Sequence, residues 1–317
     1  MKEALLHLHG DIMRLPFSPV ILPWHEDLVD EPKLISEFII QYMHKDRNEL
    51  LPVLEDKYAS REYVKSKGAC NVINLFHWTE KKPIRLPWDK LPQRCVIKTN
   101  HWSGDGIFII DDGEEPIGGV KKDMAIQEIY RVVRNNRDQD GNKWSNRKIE
   151  RKLNRLVKKY YPFLYEWAVR NIDPRGVLVE ELLLNKKGEI PDDIKVHCFS
   201  GKAGFIQYER GKFTSVRQNL HHPITGEVIT QTENLKWPGI EEITNLKDEL
   251  GEDFFKKIVN TAEKLAKDVP YVRVDLFLVD SEIYFGEFTL YPRSGEKQSK
   301  EWEELGGKLW KEGLDRS

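Results

Sequence analysis

The sequence predicts an α+β fold in which helices and mainly antiparallel strands form two units. Strand-like runs of β-branched and aromatic residues alternate with amphipathic helical patterns, without the regular strand–helix repeat of a parallel sheet. The length of 317 residues suits about two domains of ~150 residues. Hydrophobic residues make up 39% of the chain, and no run approaches the ~20 apolar residues that span a bilayer. We therefore expect a globular protein without a membrane span.

The composition also favours a cytoplasmic protein that does not act on nucleic acid. The first 24 residues contain acidic residues and prolines, so they lack the apolar core of a secretory signal. Cys70, Cys95 and Cys198 form no C-x-x-C pair, which favours reduced, mostly buried thiols over disulfides or a zinc site. The formal net charge of −2 gives no general attraction to nucleic acid or anionic lipid.

Residues 1–53 predict a short helical segment, and residues 54–175 predict a first lobe. In this lobe a helix that ends at Gly68 precedes two β-branched strands joined by a polar loop. Lys57 and Lys98 are candidate phosphate cations. Lys98 lies in the otherwise apolar run Val96-Ile97-Lys98-Thr99, and a buried lysine requires an anion. Lys98 is therefore a phosphate ligand or an edge-strand lysine with its amine in water.

The loop between these strands is a candidate phosphate cradle. Gly104, Gly106 and Ser103 would let backbone N–H groups approach phosphate oxygens. The pattern is neither a P-loop nor the dinucleotide fingerprint G-x-G-x-x-G. Residues 111–146 then predict a mobile polar connection, and residues 145–169 a long helix rich in Lys and Arg. Those cations form either a solvated face or a contact with an acidic substrate.

Residues 176–317 predict a second lobe of antiparallel strands with a helix at residues 253–267. Glu180 and Glu181 end an apolar strand, where the following backbone could meet an adenine edge and a carboxylate could bind ribose. Asp193 and Lys195 are two residues apart in the next strand. Alternate residues share one face of a strand, so this acid and base should point the same way.

Asp275 and Glu287 form the candidate metal site. They lie in two apolar strands, where buried carboxylates are costly unless a cation binds them. A strict two-residue turn at Asp280-Ser281 would place Asp275 opposite Gly286 and send Glu287 to the other face. A shared metal site therefore requires an odd loop or a bulge. The alternative is that both acids pair with Arg273 and other basic groups.

The order of these motifs resembles the ATP-grasp superfamily, and within it the TupA-like branch, over about residues 54–295. The pieces are short, but their order along most of the chain is hard to obtain by chance. They are Asp56-Lys57-Tyr58-Ala59, Arg61-Glu62-Tyr63-Val64, Val96-Ile97-Lys98-Thr99-Asn100-His101, Ser103-Gly104, Val179-Glu180-Glu181, Asp193-Ile194-Lys195, Cys198-Phe199-Ser200-Gly201-Lys202, Val272-Arg273-Val274-Asp275-Leu276 and Tyr284-Phe285-Gly286-Glu287-Phe288-Thr289.

The resemblance implies two α+β lobes with antiparallel sheets that grip ATP between them. The residues implied to bind the nucleotide are Lys57, Lys98, Ser103, Gly104, Gly106, Glu180, Glu181, Asp193 and Lys195. The residues implied to bind Mg²⁺ are Asp275, Glu287 and Thr289. Many relatives carry asparagine where this chain has Thr289, and a threonine hydroxyl is a weaker metal ligand.

The reaction implied by the resemblance joins a carboxylate to an amine through an acyl phosphate, with ADP as product. Arg273, Lys98 and Lys195 would stabilise the transferring phosphoryl group, and His101 is a candidate general base or a structural histidine. The expected substrates are small, with an acidic sugar, peptide or surface-polymer precursor as open alternatives. Alternative functions are a small-molecule or sugar kinase, a non-catalytic nucleotide-binding module, and a surface-polysaccharide glycosyltransferase with Asp138-Gln139-Asp140 as its metal motif.

Overall fold

The helices frame two sheets in the computed structural model, which describes residues 19–103, 106–118, 130–210, 217–231 and 243–316. The helices are α1 (Ile35–Lys45), α2 (Leu50–Glu55), α3 (Ser60–Lys67), α4 (Asn146–Leu156), α5 (Trp167–Arg170), α6 (Leu246–Leu250), α7 (Glu252–Ala266) and α8 (Lys300–Leu314). Short 3₁₀ turns lie at Pro23–Glu26, Trp88–Lys90 and Pro292–Gly295. Within the described ranges no helix is long and apolar enough to cross a membrane.

The strands form a six-stranded and a seven-stranded sheet. They are β1 (Asn71–Val72), β2 (Leu75–Thr79), β3 (Arg94–Thr99), β4 (Ile107–Asp111), β5 (Tyr130–Arg134), β6 (Arg137–Asp138), β7 (Val177–Glu181), β8 (Asp193–Phe199), β9 (Lys202–Arg210), β10 (Arg217–His221), β11 (Val228–Gln231), β12 (Tyr271–Val279) and β13 (Glu282–Thr289). The sheet orders are β2-β7-β3-β4-β5-β6 and β1-β13-β12-β8-β9-β10-β11. All pairs are antiparallel except β4 with β5 and β1 with β13.

Each sheet has one apolar face and one face that carries polar site residues. In the six-stranded sheet, Ile97 and Val179 belong to a buried cluster with Leu153 of α4. Side chains alternate along a strand, so Lys98 and Glu180 project from the opposite face.

In the seven-stranded sheet, Val196 and Val274 pack in one cluster with Ile258 of α7, whereas Lys195 and Asp275 are one residue away in each strand and face the other side. Helices α1, α2 and α3 contribute apolar residues to this second core as well.

Three local predictions are corrected by the structure. The helix expected at residues 145–169 divides into α4 and α5, because Pro162 lacks the N–H that a helix interior requires. The segment at residues 111–146 contains β5 and β6. The strand that carries Glu180 and Glu181 ends at residue 181 and pairs with β3 and β2, so it lies in the six-stranded sheet and not with β8 and β12. The division of the chain after residues 53 and 175 stays a prediction.

Candidate nucleotide and metal site

The hairpin of β12 and β13 carries Asp275 and Glu287 and has a two-residue turn. The turn residues Asp280 and Ser281 have φ of 51° and 68°, as a primed hairpin turn requires. A strict ladder from this turn would pair Asp275 with Gly286 and separate the two carboxylates.

A bulge at Gly286 changes that register. Leu276 pairs with Phe285, whereas Asp275 pairs with Glu287, so Gly286 has no partner in the ladder. A Cβ atom at Gly286 would lie 3.0 Å from the carbonyl oxygen of Asp275, which is closer than side chains normally approach. The prediction of an odd loop or a bulge is confirmed in the second form, and Asp275 and Glu287 lie directly opposite each other.

Arg273 and Lys57 hold these two carboxylates. Nε and Nη2 of Arg273 donate to Oδ1 and Oδ2 of Asp275, each at 2.6 Å, and Nη2 also donates to Oγ1 of Thr289 at 3.0 Å. Lys57 Nζ lies 3.5 Å from Oε2 of Glu287. Burial lowers the pKa of both cations, but the neighbouring carboxylates outweigh burial, so each pKa is raised. Both side chains therefore stay charged.

Lys195 is the cross-strand neighbour of Asp275, in β8. Its Nζ lies 3.4 Å from Oδ2 of Asp193 and 2.5 Å from Oε2 of Glu209. Asp193 and Lys195 thus share one face of their strand, as their spacing predicts. Glu209 was not identified from the sequence, because its contact with Lys195 depends on the pairing of β8 with β9.

Lys98 forms an ion pair with Glu180 on the six-stranded sheet. The other oxygen of Glu180 lies 3.4 Å from Nη1 of Arg61, a residue that is only 7% exposed. Lys98 therefore has a buried anionic partner, which contradicts the alternative of an amine that simply lies in water. Glu181 follows Glu180, is exposed and points to the opposite face, so its carboxylate does not join this group.

The segment between α2 and α3 connects the polar residues of the two sheets. Asn100, at the end of β3, is fully buried and donates from Nδ2 to Oδ2 of Asp56 at 2.9 Å. The backbone N–H of Lys57 donates to the carbonyl of Asn100 at 3.1 Å, while its side chain reaches Glu287 in the other sheet. The Asn100 contacts have no local sequence pattern that would have predicted them.

Glu55 is a further site residue that the sequence did not indicate. Its Oε1 accepts a hydrogen bond from the backbone N–H of Leu290 at 2.7 Å. Burial raises the pKa of Glu55 to about 7, although Lys57 and Arg273 oppose the shift. In the sequence, only its position next to the motif residue Asp56 could have indicated that Glu55 belongs to the site.

His101 has the contacts of a structural residue. It is 1% exposed, and Nε2 donates to the carbonyl of Lys159 at 3.1 Å. Burial lowers its pKa to about 3, and Arg175 adds to that effect. A neutral, weakly basic and buried imidazole does not suit a general base, so the structure disfavours the catalytic role considered for His101.

The rest of this loop is held by helix α4 and the chain that follows it. Ser103 Oγ lies 2.8 Å from the hydroxyl of Tyr161. A Cβ atom at Gly106 would overlap Cδ1 of Leu156, so close packing explains this glycine. Gly104 lies outside the described residues. The proposed contacts of this loop with phosphate stay predictions.

A backbone edge and an apolar cluster lie next to the Lys98–Glu180 pair. The cluster includes Ile109 and Val132, with Val96 and Leu182 packed against them. In the part of the chain that the structure describes, the peptide groups of residues 182–184 make no hydrogen bonds. Such an arrangement could accept a flat heteroaromatic base and pair with its polar edge.

The fold and this site define the class of protein. A family model described as TupA-like ATPgrasp matches residues 37–311, and the chain belongs to that family. No curated protein matches it.

Several solved structures are similar to this chain at low identity. A D-alanine–D-alanine ligase from Bacillus anthracis in complex with ATP is 16% identical, with coverage of 84% of this chain and 67% of that one, at a TM-score of 0.39. The Helicobacter pylori D-alanine–D-alanine ligase is 14% identical, with 83% and 60% coverage and a TM-score of 0.39. The ATP-grasp ligase PsnB, complexed with a minimal precursor, is 10% identical, with 84% and 61% coverage and a TM-score of 0.35. The chain thus spans about two thirds or less of these proteins.

Proposed function

We propose that the protein is an ATP-dependent ligase that joins a small carboxylate to an amine. The observation that carries this proposal is the bulge that places Asp275 opposite Glu287, with Arg273, Lys57 and Lys195 beside them. In the described ranges no group of three or more His, Cys, Asp or Glu residues could hold a metal. Two carboxylates nevertheless fit Mg²⁺, which commonly binds one or two carboxylates together with substrate phosphates.

The charges of the site indicate that ATP and Mg²⁺ bind together. When bound, ATP supplies the phosphoryl group and Mg²⁺ neutralises charge on its phosphates. Lys57, Lys98 and Lys195 would hold phosphate oxygens, but each already has a carboxylate partner. ATP alone would take these cations from their partners and leave the largely buried carboxylates of Glu180 and Glu209 uncompensated, which is costly. The proposed adenine site is the backbone edge at residues 182–184 with its apolar cluster.

The proposed reaction has two steps. A substrate carboxylate attacks the γ-phosphate, which releases ADP and forms an acyl phosphate; an amine then attacks the acyl carbon, and inorganic phosphate leaves. Arg273 is oriented by both oxygens of Asp275 and could stabilise charge on the transferring group. A kinase would use the same nucleotide residues, so only the product separates the two functions. A cytoplasmic location and an acidic sugar or polymer precursor as substrate stay predictions.

The glycosyltransferase alternative is weakened by the contacts of Asp138. Its Oδ1 accepts from the backbone N–H groups of Asp140 and Asn142, at 3.1 and 2.8 Å. Its Oδ2 accepts from Nε1 of Trp144 at 2.9 Å. A carboxylate whose oxygens hold a tight turn in this way is poorly placed to bind a metal.

Product analysis tests the ligase function. Purified protein is incubated with MgATP and mixtures of amino acids and uronic acids, and ADP, phosphate and amide products are measured by mass spectrometry. We expect amide formation, and an at least ~100-fold loss of ADP release in Asp275→Asn, since the charge of the metal pair is reduced. Glu282→Gln, an exposed acid at the far end of the same hairpin, is the control and should remain active. ADP release that persists in Asp275→Asn contradicts the site, and a phosphorylated hydroxyl product would favour a kinase.

A further inference from the structure

A left-handed turn follows the strand that carries Glu287 and Thr289. Within Pro292–Gly295, Arg293 and Ser294 have φ of 50° and 56°. Residues other than glycine rarely adopt such values, and they do so where the surrounding structure holds them, commonly at functional sites.

Ser294 is held from two sides. Its hydroxyl forms a hydrogen bond with Oε1 of Glu166, and both residues are 6% exposed. Its carbonyl oxygen accepts from Nε1 of Trp24 at 2.9 Å and from Nε2 of His25 at 3.2 Å. Glu166 immediately precedes α5, so the turn is tied to chain segments that are far from it in sequence.

The turn is also connected to the metal pair. Leu290 lies between Thr289 and the turn, and its N–H donates to Glu55 at 2.7 Å. The charges of Glu287 and Arg273 act on Glu55, which places this link beside the proposed metal ligands. A displacement of the turn would therefore reach the end of β13.

Glu166 has no basic side chain within ion-pair distance in the part of the chain that the structure describes. The nearby titratable groups are Glu55 and the phenols of Tyr161 and Tyr291, and burial raises the pKa of both phenols, so neither supplies a positive charge to Glu166. His25, on the other side of the turn, is kept neutral because burial lowers its pKa to about 4. Burial raises the pKa of Glu166 to about 8, and Glu55 adds to this effect although the turn's hydroxyl opposes it. At neutral pH the carboxyl group is therefore mainly uncharged.

We propose that Glu166 is a positioning residue for the ligation: as a neutral carboxyl group it holds Ser294 and thereby fixes the turn Pro292–Gly295 next to the metal pair. This inference rests on the proposed function. Ionisation of Glu166 would create a buried charge without a cationic partner, which is unfavourable unless the surrounding structure opens to water. The turn should therefore loosen as pH rises through the ionisation.

Hydrogen exchange of the full-length protein reports on the turn directly. Exchange is measured by mass spectrometry at pH 6 and pH 9 and corrected for the intrinsic effect of pH. We expect protection of residues 293–296 to fall by up to about 100-fold in the wild type, because a carboxyl group with a pKa of about 8 in the closed turn and 4.5 in the open turn disfavours the closed form about tenfold per pH unit between pH 6 and 8. The Leu290 amide is left out, because it donates to Glu55, whose own pKa of about 7 lies in this range. Glu166→Gln, which cannot ionise, should keep its protection. Glu150→Gln changes a buried carboxyl group behind the six-stranded sheet and should follow the wild type. Unchanged wild-type protection, or loss in Glu166→Gln, overturns the proposal.

ADP release from MgATP separates a positioning role from a purely structural one. The wild-type rate should fall above about pH 8, the Glu166→Gln rate should lack that fall, and both should bind MgATP equally well in calorimetry. If Glu166→Gln does not fold, Ser294→Ala at pH 7 should show the low protection and low rate of the wild type at pH 9. Coinciding pH profiles with normal MgATP binding overturn the Glu166 proposal alone. If MgATP does not bind at all, the ligase function itself is wrong.

Discussion

At the residue scale, each candidate phosphate cation lies against a carboxylate from another part of the chain or another position of its strand. The pairs are Lys57–Glu287, Lys98–Glu180, Lys195–Glu209 and Arg273–Asp275. An unpaired buried charge costs several kcal/mol, so these pairs allow the charged groups to stay in the interior. The same groups could bind phosphates and a metal ion if both ligands arrive together. The phosphates would then compensate the cations of these pairs, and the metal ion would compensate carboxylates.

Lys98→Ala should weaken MgATP binding by about 10- to 100-fold, because a charge-assisted hydrogen bond contributes roughly 1.5–3 kcal/mol. Calorimetry measures the affinity. The variant should still fold, since Glu180 keeps Arg61 as a partner. Lys65→Ala removes an exposed lysine of α3 that pairs with Glu62, and it is the control. An MgATP affinity equal to that of the wild type would remove Lys98 from the site.

At the scale of secondary-structure elements, one extra residue in β13 decides whether Asp275 and Glu287 lie opposite each other. The turn is the ordinary two-residue type, and the bulge at Gly286 corrects the parity that this turn would otherwise impose.

The position of helix α4 does not favour the predicted contact between its basic residues and an acidic substrate. The helix packs on the face of Ile97, away from Lys98, and Arg151 and Arg155 are exposed. This position favours the solvated-face interpretation of its charge.

Gly286→Val should weaken the dependence of ATP binding on Mg²⁺. The new side chain would meet the Asp275 carbonyl oxygen at 3.0 Å and Cε2 of Phe277 at 3.1 Å. Relief of that crowding requires a backbone shift, which typically costs ~1–3 kcal/mol and would move Asp275 away from Glu287. Calorimetry with MgATP is compared with ATP plus EDTA. Ile283→Val shortens a side chain in the same strand without crowding, and it should keep the wild-type ratio of the affinity for MgATP to the affinity for ATP with EDTA. An unchanged affinity ratio in Gly286→Val would contradict a role for the bulge.

At the scale of the whole molecule, the two sheets do not follow the chain in one simple division. Strand β7 lies between β2 and β3 in the six-stranded sheet, although it follows residue 175. Helices α1 to α3 come early in the sequence, yet their apolar residues pack in the core of the seven-stranded sheet. The chain therefore crosses between the sheets more than once, and the segment with Asp56 and Lys57 lies at one of these crossings.

A fragment of residues 54–175 should not unfold cooperatively, because it lacks β7 and leaves β2 and β3 without their shared partner. A fragment of residues 73–184 contains all six strands of that sheet together with α4 and should retain more ordered structure. Circular dichroism during thermal unfolding compares the two. If residues 54–175 unfold in a transition as sharp as that of residues 73–184, the result would support the domain boundary predicted at residue 175.

The sequence by itself determined the α+β class, the family resemblance, and the candidates Lys98, Lys195, Asp275 and Glu287. These predictions depend on local patterns, namely apolar strands interrupted by a charged residue and motifs in a given order. Side chains alternate along a strand with a period of two residues, so the sequence also indicates which residues share a face. Parity also predicted that Asp275 and Glu287 meet only if the hairpin has an odd loop or a bulge, and the structure shows a bulge.

The tertiary structure alone decided the sheet that contains β7, the structural contacts of His101, and the presence of Glu55, Arg61, Glu166 and Glu209 in and around the site. Those contacts join residues that are distant in the chain, and strand order and helix packing create them. A single acid in an ordinary local context has no pattern that distinguishes it. Its burial and its partners appear only when the sheets and helices have packed together.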